Sequence, residues 1–291
     1  MIPSFIAILA LSFPASAQPP AAAESSEVKK RISELKHGNK LDVANAALWL
    51  GGMGKQAKPA IPLLIELLGD DREVTKETKQ GVSVPLGQPF TYEDPVLVSE
   101  RASEALIQLG ETAVNDLGAA LGENPKVIVR LRAAETLGKI GKAAKPALPQ
   151  LRATLDRQKN QKIRLEAIQA YRQIEDNPTA LAETYAKALA GGSPEIRGLA
   201  LLYLKELGPK AEPAIPALTR ALFDKGSHYV SVSLDFADWV PLRSEAAECL
   251  GRIGPAASSA LQPLTTMMRS DPDQQVRAAA QKAVKQISDK N

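Results

Sequence analysis

Apolar residues recur at helical spacing along most of this chain, and the stretch from Leu131 to Leu151 shows the unit that is repeated. An apolar stripe runs into Gly141, a short polar turn follows, and a second apolar stripe opens with Pro146 and Pro149. Apolar residues three and four positions apart lie on one face of a helix. Glycine ends a helix because it adopts a left-handed backbone at little cost, and proline fits a first helical turn, where its missing N–H is no loss. We therefore predict two helices joined at Gly141, with Pro146 in the first turn of the second.

Copies of this unit follow one another through the chain. Leu137 marks a slot that recurs seven times, and the slot four residues before it is alanine in every copy. The first slot holds Leu50, Leu106, Leu137, Tyr171, Leu204, Leu250 and Val284, and the alanine slot holds Ala46, Ala102, Ala133, Ala167, Ala200, Ala246 and Ala280. One helix pair cannot bury its apolar face alone, so the copies must stack. We predict an all-α solenoid of about seven helix pairs over residues 26–289.

Other slots carry a family resemblance. A proline pair recurs in Lys58–Pro62, Lys145–Pro149 and Glu212–Pro216, and five copies have an aliphatic-arginine pair before the alanine slot. Asp156 and Asp271 precede two of these arginine pairs. These residues resemble the HEAT repeat, in the short form found in phycobilisome-lyase-like HEAT proteins. The resemblance covers nearly the whole chain and implies a right-handed α-α superhelix, but solenoids of this class serve many unrelated functions.

Two interruptions, at residues 70–98 and 224–240, lengthen the repeat. Both fall in the turn between the two helices of a pair, so we expect both to emerge from the same edge of the solenoid. Prolines and glycines exclude a single helix in the first interruption, where Val82–Val84 and Phe90–Tyr92 resemble short strands. Tyr229–Phe236 alternates like a strand in the second. We predict two short non-helical insertions that could form β-hairpins. A shared Val-Ser-Val sequence leaves open that they pair with each other.

The insertions concentrate aromatic residues, which supply large contact areas in binding sites. Insertions in repeat proteins often lie on the binding face. The predicted partner-binding residues are Phe90, Tyr92, Tyr229, Phe236 and Trp239. The alternative is that these rings fold down and cover the solenoid edge, since an ordered loop must bury something.

An arginine recurs at one position of the repeat, and its members are Arg130, Arg164, Arg197, Arg243 and Arg277. Spaced one repeat apart, these side chains would form a ladder along the turn edge. Such a ladder could hold anions or an acidic peptide. We favour a structural ladder instead, because a guanidinium in a turn satisfies several acceptors at once, and the resemblance to HEAT repeats implies the same role.

The amino-terminal segment has the pattern of a secretory signal. Ile2–Leu11 is mostly apolar, Pro14 follows, and Ala15–Ala17 is a small-residue cleavage site. The apolar run is too short for a membrane-spanning helix of about 20 residues. We predict a signal peptide at residues 1–17, a flexible lead-in at 18–25 rich in proline and alanine, and export to the periplasm or beyond, with no transmembrane segment after cleavage.

Reactive groups are few. Cys249 is the only cysteine and is expected to be a buried apolar side chain. His37 and His228 have no partner at metal-ligand spacing, and the pairs Gly51–Gly52 and Gly191–Gly192 are interpreted as helix stops. A net charge of +3 does not indicate a nucleic-acid partner. We therefore predict no catalytic residues, no metal site and no cofactor.

Three functions remain open at this point. The first, which we favour, is a monomeric, non-catalytic scaffold of the cell envelope that binds another protein through its curved surface or its insertions. The second is a module that binds carbohydrate or a cell-wall component through the insertion aromatics. The third is a bilin-lyase-like enzyme, which the resemblance suggests and which the export signal argues against.

Overall fold

A computed structural model describes residues 21–74, 96–224, 228–230 and 239–289 of the chain. Over these residues the chain forms seven successive pairs of α-helices, which confirms the predicted all-α solenoid. The first helices of the pairs are α1 Ala21–His37, α3 Ile61–Leu67, α5 Glu111–Glu123, α7 Leu148–Arg157, α9 Pro178–Gly191, α11 Ile215–Ala221 and α13 Leu261–Ser270. The second helices are α2 Lys40–Gly51, α4 Val98–Leu109, α6 Val127–Ile140, α8 Gln161–Ile174, α10 Pro194–Leu207, α12 Leu242–Ile253 and α14 Gln274–Ser288. Helix α1 includes residues 21–25 of the segment predicted as a lead-in.

Short polar side chains begin five of the described helices. The side chain of Asn177, for example, accepts hydrogen bonds from the backbone N–H groups of Thr179 and Ala180 at 3.0 and 3.4 Å. Such a cap satisfies N–H groups that have no partner within the helix. Pro178 and Pro194 occupy the first turns of α9 and α10, as predicted. The five capping residues are Asn39, Asn160, Asn177, Ser193 and Asp273.

The connection between successive pairs differs from the prediction at its prolines. After Gly141 the chain forms a 3-10 helix that contains Pro146, and the α-helix begins only at Leu148, with Pro149 in its first turn. Pro149, not Pro146, therefore opens α7. Gly141 has φ 67° and ψ −138°, a backbone conformation available essentially to glycine alone. Four connections contain this 3-10 segment, at Gly54–Ala60, Gly141–Ala147, Gly208–Ala214 and Gly254–Ala260.

The core runs the length of the solenoid through the predicted slots. All seven residues of the alanine slot have no exposed surface. The Leu137 slot is also buried in six copies, including Tyr171. Val284 on α14 is only partly buried. The solenoid is thus stabilised by stacking of neighbouring repeats.

Both glycine pairs end helices, as predicted. Gly51 is the last residue of α2 and Gly52 its C-cap, and Gly191 and Gly192 occupy the same positions at the end of α9. Gly51 is also buried and packs against Ala105 of α4, so it allows close approach of the two helices.

Among the residues that the structure describes, four short strands lie at the two interruptions. β1 Glu73–Val74 pairs antiparallel with β2 Val96–Leu97, and β3 His228–Val230 pairs antiparallel with β4 Trp239–Pro241. Each described strand pairs within its own insertion, and Val230 faces Trp239 across the second ladder. The predicted strands Val82–Val84 and Phe90–Tyr92 lie outside the described residues, as does most of Tyr229–Phe236. In the part of the chain that the structure describes, no helix is long and apolar enough to cross a membrane.

Candidate functional site

The two insertions leave the solenoid at equivalent places. The β1–β2 ladder stands between α3 and α4, and the β3–β4 ladder between α11 and α12. In each case the first strand of the ladder also contacts the second helix of the preceding repeat, α2 or α10. Three complete helix pairs, α5 to α10, separate the two insertions along the chain. Both ladders therefore lie at the turn edge, beside the face formed by the second helices.

Backbone and side-chain bonds fix the base of the first insertion. The N–H groups of Val98 and Ser99 donate to the carbonyl oxygens of Arg72 and Asp70, both at 3.0 Å. The Arg72 guanidinium binds the Asp70 carboxylate at 2.6–3.0 Å, and this hydrogen bonding lowers the pKa of Asp70. The chain thus enters and leaves the insertion at a defined position.

Arg132 on α6 ties this base to the next repeat. One guanidinium nitrogen donates to the Leu68 carbonyl oxygen at 2.7 Å, and the other contacts the Asp71 carboxylate at 2.7 Å. Only a fifth of the Arg132 side chain is exposed, so its charge is held among these acceptors. A planar guanidinium can serve a carbonyl and a carboxylate at the same time. The insertion is thereby fastened to α6 as well as to its own helix pair.

The predicted partner-binding aromatics fall mainly outside the described residues. This applies to Phe90, Tyr92 and Phe236. The backbone of Tyr229 lies in β3, opposite Val240, and that of Trp239 lies in β4. Two of the five predicted residues are therefore placed at the base of the second insertion, on adjacent rungs of one ladder.

The sequence interpretation missed Phe223, which follows α11 directly before the second insertion. Two thirds of its side chain is exposed, 66%, although large aromatic side chains are usually buried. It borders a cleft of about 190 Å³ that includes Pro263, Met267 and the Arg243–Asp271 pair. The only available sequence signal was its place at the boundary between a helix and an insertion. Phe223 adds an apolar contact surface to this edge.

Three arginines of the predicted ladder reach forward to the turn of the next repeat. Arg243 donates two hydrogen bonds to Asp271 at 2.8 and 3.0 Å. Arg197 makes the equivalent ion pair with Asp224, at the start of the second insertion. Arg164 makes a longer contact of 3.5 Å with the Gly191 carbonyl oxygen. These contacts link neighbouring turns along the edge.

The other two arginines of the ladder contact the turn that precedes their own helix. Arg130 donates to the carbonyl oxygens of Asn124 and Pro125 at 2.5 and 3.3 Å. Arg277 donates to those of Asp271 and Pro272 at 2.8 and 3.0 Å. All five guanidiniums thus contact acceptors of the protein itself, and an anion would have to compete with them.

The second-helix face carries two adjoining polar clefts. One of about 490 Å³ lies between α4 and α6, one of about 370 Å³ lies between α6 and α8, and Glu135 and Lys139 line both. The second cleft also contains Glu166, whose pKa is raised by burial and by the charge of Glu135. Glu100 and Glu104 add further carboxylates to the first cleft. Carboxylates outnumber cations here, so this face does not favour phosphate groups.

Reactive side chains are not brought together among the described residues. No group of three or more metal-ligating side chains occurs there. Cys249 is completely buried, its thiol contacts the Leu201 carbonyl oxygen at 3.5 Å, and burial raises its pKa. A thiol in this setting is a poor nucleophile, because the thiolate is the reactive form. His37 is the last residue of α1.

Comparisons with protein families agree with the repeat pattern. The family model of HEAT repeats matches residues 90–172 and 182–285. The model of PBS lyase HEAT-like repeats matches residues 43–70. No curated protein sequence matches the chain significantly.

Several solved structures are similar to this chain. Human deoxyhypusine hydroxylase in complex with glycerol is 21% identical, with 93% of this chain and 91% of that chain covered and a TM-score of 0.38. A designed armadillo repeat protein is 16% identical, with 90% and 100% covered and a TM-score of 0.30. Another, in complex with the peptide (KR)4, is also 16% identical, with the same shares covered and a TM-score of 0.31.

Proposed function

This chain is a member of the HEAT repeat family, and we propose that it is a non-catalytic, monomeric scaffold of the cell envelope that binds another protein. The observation that carries the proposal is the common position of the two insertions. Both ladders stand at one edge of the solenoid, three uninterrupted helix pairs apart. A partner protein can contact both insertions and the second-helix face between them.

The chemistry of this surface supports a protein partner. Phe223 offers a large exposed aromatic ring at the second insertion, and aromatic residues are enriched among the residues that dominate binding energy. The clefts between α4, α6 and α8 offer carboxylates, which pair with lysine and arginine side chains of a protein. The same carboxylates repel nucleic acid.

Photocrosslinking in cells tests the binding surface. A photoreactive amino acid is placed at Trp239, at Phe223 or, as a control, at Lys187, which is exposed on α9 away from both insertions. We expect the same protein to be captured from Trp239 and Phe223 and not from Lys187. The purified partner should then bind the wild-type chain and lose affinity for Phe223→Ala. Equal capture from all three positions, or none above background, would rule out binding at this edge.

The envelope location rests on the signal pattern of residues 1–17, which lie outside the described residues. Export would expose the protein to an oxidising compartment, where a chain with a single cysteine can form no internal disulfide. Cell fractionation and mass spectrometry of the amino terminus test this part. We expect a mature protein beginning at Gln18 in the envelope fraction. An intact Met1 in the cytoplasmic fraction would refute the location and leave the binding proposal standing.

Carbohydrate binding is the alternative function, favoured by the aromatic residues of the insertions, because aromatic rings provide large apolar contact surfaces. Binding to a glycan array that disappears in Trp239→Ala and Tyr92→Ala would support it over protein binding. A bilin-lyase-like activity is the remaining alternative. Transfer of a bilin to an acceptor protein by the mature chain would establish it, and we expect none.

A further inference from the structure

The second helices of neighbouring pairs pack against each other in two different ways. Each of these helix–helix contacts is a joint of the solenoid. At three joints, α2/α4, α6/α8 and α12/α14, the residue after the Leu137 slot is glycine. A Cβ atom on Gly138 would lie 3.2 Å from the Ala170 Cα and 2.6 Å from the Gln173 Oε1. Gly51 and Gly251 face Ala105 and Ala283 in the same way, with distances of 2.8 and 3.0 Å to the Cα atoms. These helices pack backbone against backbone, so the joints are tight.

The same position holds a large side chain at the other three joints, namely Ile107, Arg172 and Lys205. The most open of these joints lies between α8 and α10, which have the least backbone contact of any two successive second helices in the described chain. The connection between α8 and α9 also lacks the 3-10 segment that four other connections contain. The chain is therefore least tightly packed between its fourth and fifth helix pairs.

Exposed polar contacts bridge this open joint. Arg172 pairs with Glu206 at 2.5 Å, and about half of each side chain is exposed. Gln161 donates to Glu195 at 2.5 Å, also at the surface. Exposed ion pairs contribute little to stability and exchange readily with water. These contacts resist separation of α8 and α10 much less than the backbone packing at a tight joint does.

The interior of the joint contains the hydroxyl group of Tyr185. Tyr185 on α9 is 1% exposed, and its ring centroid lies 5.2 Å from that of Tyr203 on α10. Its hydroxyl has no hydrogen-bond partner among the described residues, and burial raises its pKa. A buried polar group without a partner destabilises the closed arrangement. Opening the joint would let water bind this hydroxyl, so the burial of Tyr185 favours opening.

We propose that the joint between α8 and α10 is a hinge that divides the solenoid into two rigid parts. Helices α1–α8 carry the first insertion and α9–α14 carry the second, so bending at the hinge changes the separation of the insertions. A binding surface framed by the two insertions can then adapt to a partner. The hinge follows from the packing and the polar contacts between α8 and α10 and does not depend on the proposed function.

Distance measurements between pairs of spin labels test the hinge. The labels are attached to cysteines at equivalent exposed positions two residues before the Leu137 slot, in a Cys249→Ala background. The pair Glu135–Leu202 spans the α8/α10 joint, whereas Glu104–Gln169 and Leu202–Lys282 span two joints within one part. Each pair covers two helix layers, or about 20 Å. We expect the Glu135–Leu202 distances to be distributed more broadly than both others. Three equal widths would overturn the hinge.

Two tyrosine variants test whether the buried Tyr185 hydroxyl favours opening of the hinge. Tyr185→Phe removes the hydroxyl that lacks a partner, so it should narrow the Glu135–Leu202 distribution and raise the melting temperature by about 2–4 °C. Tyr171→Phe is the matched control, because Arg152 donates a hydrogen bond of 2.6 Å to the Tyr171 hydroxyl. It should lower the melting temperature and leave the distribution width unchanged. A broad distribution that Tyr185→Phe does not narrow would refute the role of this hydroxyl.

Discussion

Arg243 on α12 binds Asp271 in the turn of the next repeat with two hydrogen bonds of 2.8 and 3.0 Å. Both side chains are nearly buried, with 11% and 12% of their surfaces exposed. The pair joins two residues 28 positions apart and lies beside Phe223 and the second insertion. It shows how the arginine position of the repeat holds the turn edge together.

We expect Arg243→Met to destabilise the protein by about 2–3 kcal/mol, because it leaves the nearly buried Asp271 carboxylate without its main partner. Arg243→Lys should recover only part of this loss, since an ammonium cannot form the bidentate contact. Urea unfolding of the purified variants measures the free energies of unfolding.

Arg101→Met is the control for this series, because the Arg101–Glu104 pair joins two neighbouring turns of one helix at the surface. We expect Arg101→Met to lower the free energy of unfolding by less than about 0.5 kcal/mol. If Arg101→Met and Arg243→Met lower the free energy of unfolding equally, the contact between repeats stabilises the protein no more than a surface ion pair within one helix does.

Stability should fall in acid partly through the same carboxylate. Hydrogen bonds from Arg243 hold the pKa of the Asp271 carboxyl below its usual value. Folding therefore favours the ionised form, and the resulting stability is present above the unfolded-state pKa of about 4. It is lost as the pH falls through the lower pKa of the folded state.

The measurement is urea unfolding at a series of pH values. We expect the difference in free energy of unfolding between wild type and Asp271→Asn to be constant near neutral pH and to shrink below about pH 4. A difference that grows in acid would contradict the lowered pKa.

The repeat architecture could be predicted because it depends on residues that recur at a fixed spacing. Ala133 and its counterparts must be small wherever helices stack, and they are buried in every copy. Whether a joint is tight or open depends on one position, which holds Gly138 at one joint and Arg172 at another. That position varies between repeats, so a search for recurring residues passes over it.

Other features could be recognised only from the three-dimensional structure. Pro146 and Pro149 each fit a helical first turn, and the sequence alone does not distinguish a 3-10 segment from the start of α7. The exposure of Phe223 and the burial of the Tyr185 hydroxyl depend on neighbours that are distant in sequence. The contacts of Arg164 and Arg243 with the following turns depend on how far each guanidinium reaches.

Tight packing at Gly138 predicts an unusual response to alanine. Alanine favours a helix over glycine by about 1 kcal/mol, so the substitution should stabilise an isolated helix. In the protein, the added Cβ would lie 2.6 Å from the Gln173 Oε1 and 3.2 Å from the Ala170 Cα. We expect Gly138→Ala to destabilise the fold by about 1–3 kcal/mol because α6 and α8 must move apart.

Gly122→Ala is the matched control for this substitution. Gly122 is an exposed residue of α5, and a Cβ atom there would contact nothing within 4 Å. Its free energy of unfolding should rise by up to about 1 kcal/mol. If thermal unfolding shows both variants to be stabilised, the α6/α8 joint is not tight.

Gly141→Ala should destabilise the protein for a different reason. A Cβ atom at Gly141 would contact nothing within 4 Å, so no clash is involved. Its φ of 67° with ψ of −138° is strained for any residue with a side chain, and we expect the free energy of unfolding to fall by about 1–3 kcal/mol.

Gly191→Ala separates backbone strain from the loss of a glycine, because Gly191 is also unobstructed but ends α9 without a positive φ. Calorimetry should show Gly191→Ala to be neutral or slightly stabilised. Equal losses in the two variants would show that the backbone angle at Gly141 is not what requires glycine there.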